Sequence, residues 1–149
     1  MNNVELISTS IENIFDHLGI SPNISIEAQD ENIYNVFIEG DDLNWLIGYR
    51  GQSLEGLQTL LGLIALREAG EWLTIIVDIN GYRNRKAERI EDLTKKLIDK
   101  VRFFEEEVPM PTMTPWERRQ VHVLVSEYPD IESESTGEGR RRRVVLKPK

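Results

Sequence analysis

Two glycines three residues apart, Gly48 and Gly51, set the tightest constraint on how this chain can fold. They lie between a short apolar turn (Leu43, Trp45, Leu46, Ile47) and an apolar-striped helix that begins near Ser53. Glycine reaches backbone angles that other residues resist, so the chain can turn sharply here and leave amides bare. The helix start that follows adds a partial positive charge. Together these features predict a seat for a phosphodiester backbone. A Gly-x-x-Gly loop alone is a weak signal, and its surroundings must supply the rest.

The 149 residues suit one ordinary domain or two small ones, and a hydrophobic content of 40% is enough for a core. No apolar run approaches the roughly 18 residues of a membrane span, and no signal peptide is visible, so membrane insertion is not expected. The absence of cysteine excludes disulfides and thiolate metal sites and favours a reducing, cytoplasmic compartment. His17 and His122 are far apart in sequence and give little basis for a metal site, and no cofactor is expected.

The net charge of −8 argues against a nucleic-acid binder until it is divided. Residues 1–79 hold 13 acids and two bases, Arg50 and Arg67, a net of −11. Residues 80–149 hold 13 acids and 16 bases, a net of +3. One of the two bases in the acidic half lies inside the glycine loop. Local fields steer a polyanion more than the total does. The plainer reading is an acidic protein whose charges are simply solvated.

Helical spacing of Val4, Ile7, Ile11, Ile14, Phe15 and Leu18 predicts an amphipathic helix over 3–18, stopped at Gly19. Strands follow over 24–28 and 33–38. Gly40-Asp41-Asp42 is expected to cap the short helix before the glycine loop. The next helix runs over 53–69, with Leu54, Leu57, Leu60, Leu61, Ile64 and Leu66 expected on its buried side. Gly56 and Gly62 inside it cost roughly 1 kcal/mol each against alanine, which suggests close approach of a neighbouring helix or sheet. Leu73, Ile75, Val77 and Ile79 form one face of a third strand, and Asn80-Gly81 turns the chain. This order predicts an α+β module, with helices on one face of a three-stranded sheet.

Residues 82–104 read as a long helix with the stripe Ile90, Leu93, Leu97, Val101 and Phe104. Arg85, Arg89, Lys96 and Lys100 share another face, fit either for phosphate contact or for plain solvation. Pro109, Pro111 and Pro115 predict a stiff connector. Thr114-Pro115-Trp116-Glu117 carries a capping box for a helix running to about Tyr128, with Val121, Leu124 and Val125 inward. Strands over 131–135 and 143–146 complete a tail too short for a large core of its own, so it must lean on the long helix.

Arg118 and His122 stand one helical turn apart, beside Arg119. Arginine's planar fork and an imidazole N–H can together hold a phosphate. The alternative reading makes His122 a structural residue hydrogen-bonded near the core. Arg140 to Arg143 lie on the turn side of the last strand pair and extend a basic patch. No nucleophile accompanies these groups. Asp41 and Asp42 make a poor catalytic pair, because adjacent helical residues do not face each other.

Four stretches carry a more specific likeness: Ile47 to Gln58, Val77 to Arg85, Met113 to His122, and Ser133 to Gly139 running into Arg143 to Leu146. In this order the chain resembles the bacterial Jag-type (SpoIIIJ-associated) family, which places a KH domain before an Arg-x-x-x-His (R-three-H) domain. The additional N-terminal Jag domain that many relatives carry is not seen in this sequence. The resemblance implies a type II KH-like domain over 1–80, a linking helix over 81–108, and a small α/β R-three-H domain over 109–149. It implies an RNA-binding regulator of cell-envelope growth and division, and a partnership with a second small KH protein. A KH loop grips about four nucleotides of single strand.

On this reading Gly48, Tyr49, Arg50 and Gly51 hold the backbone of single-stranded RNA, while Ile47 and Leu54 pack on bases. Arg85, Arg89, Arg118, Arg119, His122, Arg140 and Arg141 hold further phosphates. No catalysis is expected. The competing reading is a protein-interaction adaptor whose acidic first half suits a basic protein partner.

Overall fold

A computed structural model describes all residues, 1–149. The chain divides into two compact units, Met1–Arg83 and Asn84–Lys149. Each holds a three-stranded sheet covered by helices. The expected α+β class is observed.

The first unit runs α1 (Asn3–Leu18), β1 (Asn23–Asp30), β2 (Ile33–Glu39), α2 (Asn44–Ile47), a 3-10 turn (Tyr49–Gly51), α3 (Gln52–Ala69) and β3 (Thr74–Ile79). The sheet order is β1-β2-β3. β1 pairs antiparallel with β2, and β2 pairs parallel with β3. A parallel partner requires a long crossover, here supplied by α2 and α3. Leu73, Ile75, Val77 and Ile79 are all buried, and they meet Ile7, Ile11 and Phe15 of α1 and Leu54, Leu61 and Ala65 of α3 in one core.

α3 departs from its expected stripe. Leu60 and Leu66 are exposed, as is Leu63, and the buried row passes through Gly62 and Ala65 instead. Leucines surround this helix, so hydropathy alone could not choose a face. The glycines divide as well. A Cβ on Gly62 would lie 2.6 Å from the Trp72 ring, so this glycine admits an indole. Gly56 has nothing within 4 Å of such a Cβ, and no close approach explains it.

The second unit contains nearly all of α4 (Tyr82–Phe104), then β4 (Val108–Thr112), α5 (Pro115–Val125), β5 (Ile131–Thr136), a 3-10 turn (Gly139–Arg141) and β6 (Arg143–Pro148). The order β4-β6-β5 is antiparallel throughout. Ile90, Ile98 and Val101 of α4 join Met110, Val121, Val144 and Leu146 in the second core, so the tail does lean on the long helix. Phe104, expected in that stripe, is exposed.

The expected proline connector is instead a strand. Val108 and Met110 point inward while Pro109 and Pro111 face out. An edge strand tolerates proline, because the missing N–H faces no partner. α5 ends at Val125, three residues before the expected Tyr128, and single turns carry the chain on.

Candidate nucleic-acid interface

The glycine loop owes its shape to three left-handed residues. Gly48, Arg50 and Gly51 have φ of 70°, 53° and 78°. A Cβ on Gly48 would run into the Ser53 side chain and lie 3.0 Å from its backbone nitrogen, so both space and backbone angle require glycine. Arg50 takes a positive φ without glycine's freedom, a local strain of about 1–3 kcal/mol that the surrounding fold sustains. From behind, Leu46 and Ile47 of α2 and Leu54 of α3 tie the loop into the core.

The approach to the loop is pinned where the chain leaves β2, by the residue that follows β3. The Asn80 side chain accepts from the Gly40 amide (3.0 Å) and donates to the Gly40 carbonyl (2.8 Å). Asn80 and Gly81 both have positive φ, which makes the expected turn. Asp41 and Asp42 do not cap α2: its N-cap is Leu43, with no side-chain hydrogen bond.

At the apex, Tyr49 is 71% exposed and Arg50 is exposed, with the guanidinium 5.3 Å from the Tyr49 ring centroid. The bend is therefore open to a ligand. Two of its amides are not bare, however. The Gly51 amide donates to the Gly48 carbonyl (3.3 Å), and the Gln52 amide to the Tyr49 carbonyl. No side chain caps the start of α3, so that helix N-terminus retains its positive end beside the loop.

The base-packing role expected of Ile47 and Leu54 fails on burial. They are 7% and 4% exposed, and both serve the core. The exposed aromatics here are Tyr49 and, at 53%, Trp45, which sequence reasoning left in the apolar turn. An indole on a four-residue helix with only Leu46 and Ile47 inward was the available signal.

In the second unit the expected capping box forms. The Thr114 hydroxyl accepts from the Glu117 amide (3.4 Å), and the Glu117 carboxylate from the Thr114 amide (3.0 Å). Glu117 is buried and pairs with Lys86 of α4 at 2.8 Å, which anchors the start of α5. α5 thereby sets Arg118 beside Met113 and holds His122 against β5. Arg118 donates through Nη1 to the Met113 carbonyl (2.6 Å). His122 is bonded at both nitrogens, Nδ1 to Ser133 Oγ (2.7 Å) and Nε2 to Ser135 Oγ (2.8 Å). Burial, then the charges of Arg118 and Arg142, push its pKa below the ordinary 6.5.

Neither ring nitrogen of His122 is therefore open to a phosphate directly, and the structural reading of this histidine is the one observed. Ser133 and Ser135, which the sequence did not single out as site residues, complete the cluster together with Arg142 of the expected basic patch. The serines alternate with Glu132 and Glu134 along β5, which places both on one face. Arg142 donates to the Gly137 carbonyl (2.9 Å). Arg119, Arg140 and Arg141 are exposed, as are Arg85 and Arg89 on α4.

Two family models match the chain. Residues 5–79 match the KH domain of the KhpA/KhpB type, and residues 88–148 match the R-three-H domain. A protein of Clostridium symbiosum named "RNA-binding protein KhpB" is 33% identical over 137 residues, which cover 91% of this chain and 62% of that protein. The protein of the same name from Bacillus subtilis (strain 168) is 28% identical over 141 residues, covering 93% and 67%. That of Streptococcus pneumoniae (serotype 2, strain D39) is 23% identical over 147 residues, covering 96% and 44%. The chain thus spans about half to two thirds of the length of these relatives. With a KhpA/KhpB-type KH domain followed by an R-three-H domain, the chain belongs to the bacterial KhpB (Jag) family.

Proposed function

We propose that the protein binds single-stranded RNA without catalysing a reaction on it. The open bend at Gly48 to Gly51 is the observation that carries this reading: positive φ at Gly48, Arg50 and Gly51 holds its shape, and Tyr49 and Arg50 stand exposed at its apex. The 1–80 domain holds the RNA backbone at this bend and at the uncapped start of α3. The 109–149 domain, with Arg85 and Arg89 of the linking helix, holds further phosphates through Arg118, Arg119, Arg140 and Arg141. His122 acts there by orienting its neighbours. Linking two weak sites raises the overall affinity through effective concentration. The names of the KhpB relatives support the RNA assignment.

The family resemblance extends the proposal to a cytoplasmic regulator of cell-envelope growth and division, partnered by a second small KH protein. Exposed Leu60, Leu63 and Leu66 on α3 support such a partner. No helix is long and apolar enough to cross a membrane.

The test is fluorescence polarisation with a mixed-sequence single-stranded RNA at low and physiological salt. The double variant Tyr49→Asp, Arg50→Asp is expected to bind about tenfold more weakly or worse, with its circular dichroism unchanged. Unchanged affinity would remove the loop from the interface. The net −11 of residues 1–79 supports a second reading, an adaptor for a basic protein, and silence toward RNA even at low salt would favour it.

A further inference from the structure

The His122 cluster has a hydrogen-bonding asymmetry that a phosphate would resolve. A neutral imidazole has one N–H and one lone pair. With Ser133 Oγ on Nδ1 and Ser135 Oγ on Nε2, one hydroxyl must donate to the ring while the other accepts from it. The donating serine has spent its proton and turns only lone pairs outward. A phosphodiester, which only accepts, meets one donor and one repelling oxygen. An imidazolium donates from both nitrogens, so both hydroxyls accept from the ring and both O–H groups are released outward.

We propose that Ser133 and Ser135 are phosphate donors of the second unit, and that RNA binding there takes up a proton on His122. The charged groups facing His122 are Arg118 from α5 and Arg142 from the segment before β6. Ser133 and Ser135 of β5 are its polar partners, and no carboxylate bonds to the ring. The two guanidiniums oppose a third positive charge in the free protein. A bound phosphate supplies the missing negative charge and favours the donor pattern of the imidazolium. Both serines are half-buried, in keeping with contact to a ligand at the surface.

The inference rests on the proposed RNA binding and is tested on the full chain by following the His122 ring protons in an NMR pH titration, with and without a short mixed-sequence RNA. RNA is expected to move the His122 midpoint upward. Affinity should rise as pH falls from 8 to 6, by at most about tenfold per pH unit for one linked proton. The Ser133→Ala, Ser135→Ala variant keeps the histidine and should bind RNA more weakly with a flatter pH profile. RNA that binds while leaving the midpoint unmoved or lowered would overturn the proton linkage and leave the proposed function standing. No RNA binding at any pH would overturn both.

Discussion

The two units meet an anion with different materials. Residues 1–79 carry two bases among 13 acids, and their candidate site is a matter of backbone shape: left-handed glycines, a strained Arg50 and a helix N-terminus without a cap. Residues 80–149 carry 16 bases, and their candidate site is built from side chains, with Arg118, Arg142 and His122 held by carbonyls and serines. Peptide dipoles add no net charge, so a backbone seat can persist on an acidic surface where an arginine cluster would be neutralised. The first unit should therefore contribute affinity with little salt dependence, and the second should contribute most of the salt dependence.

That contrast can be broken experimentally. Replacing Arg119, Arg140 and Arg141 with glutamine should weaken RNA binding on the order of 10- to 100-fold at low salt. The slope of log affinity against log salt should fall by about two, as three phosphate contacts on a single strand are lost. The charge-sparing Tyr49→Ala, Arg50→Gln variant should lose about tenfold while its slope changes by less than one, because it removes only one cation from the loop. Equal slope changes in the two variants would erase the distinction.

Stability measurements sharpen the picture of the first unit. Gly62→Leu should destabilise it by about 1–3 kcal/mol in urea, since Trp72 occupies the space. Gly56→Ala should stabilise it by about 0.5–1 kcal/mol, since nothing but helix propensity is at stake. The smallest effect belongs to His122. Its folded pKa lies below the ordinary 6.5, so the folded state resists a proton that the unfolded chain accepts. Its contribution to stability is full above that value and is lost as pH falls through the depressed folded pKa. Thermal melts of the RNA-free protein between pH 7.5 and 5.5 should show part of that loss vanish in His122→Gln.

Local signals were legible in the sequence, and long-range ones were not. Thr114 and Glu117 sit three apart and Asn80 and Gly81 adjoin, so the capping box and the turn could be read directly. The Asn80 bonds to Gly40 span 40 residues, and no local pattern announces them. β4 was hidden because two prolines outweigh the alternation of Val108 and Met110. Ile47 and Leu54 looked available to bases because they flank the loop, yet apolar residues beside a bend are what the core uses to hold it. Ser133 and Ser135 gain their role only when α5 lays His122 across β5.

The most direct measurement is an amide NMR titration of the full chain with a short single-stranded RNA at physiological salt. The account predicts early, saturable shifts at Tyr49, Arg50 and the first amides of α3. Shifts confined to the arginines and serines of the second unit, with the loop silent, would contradict it.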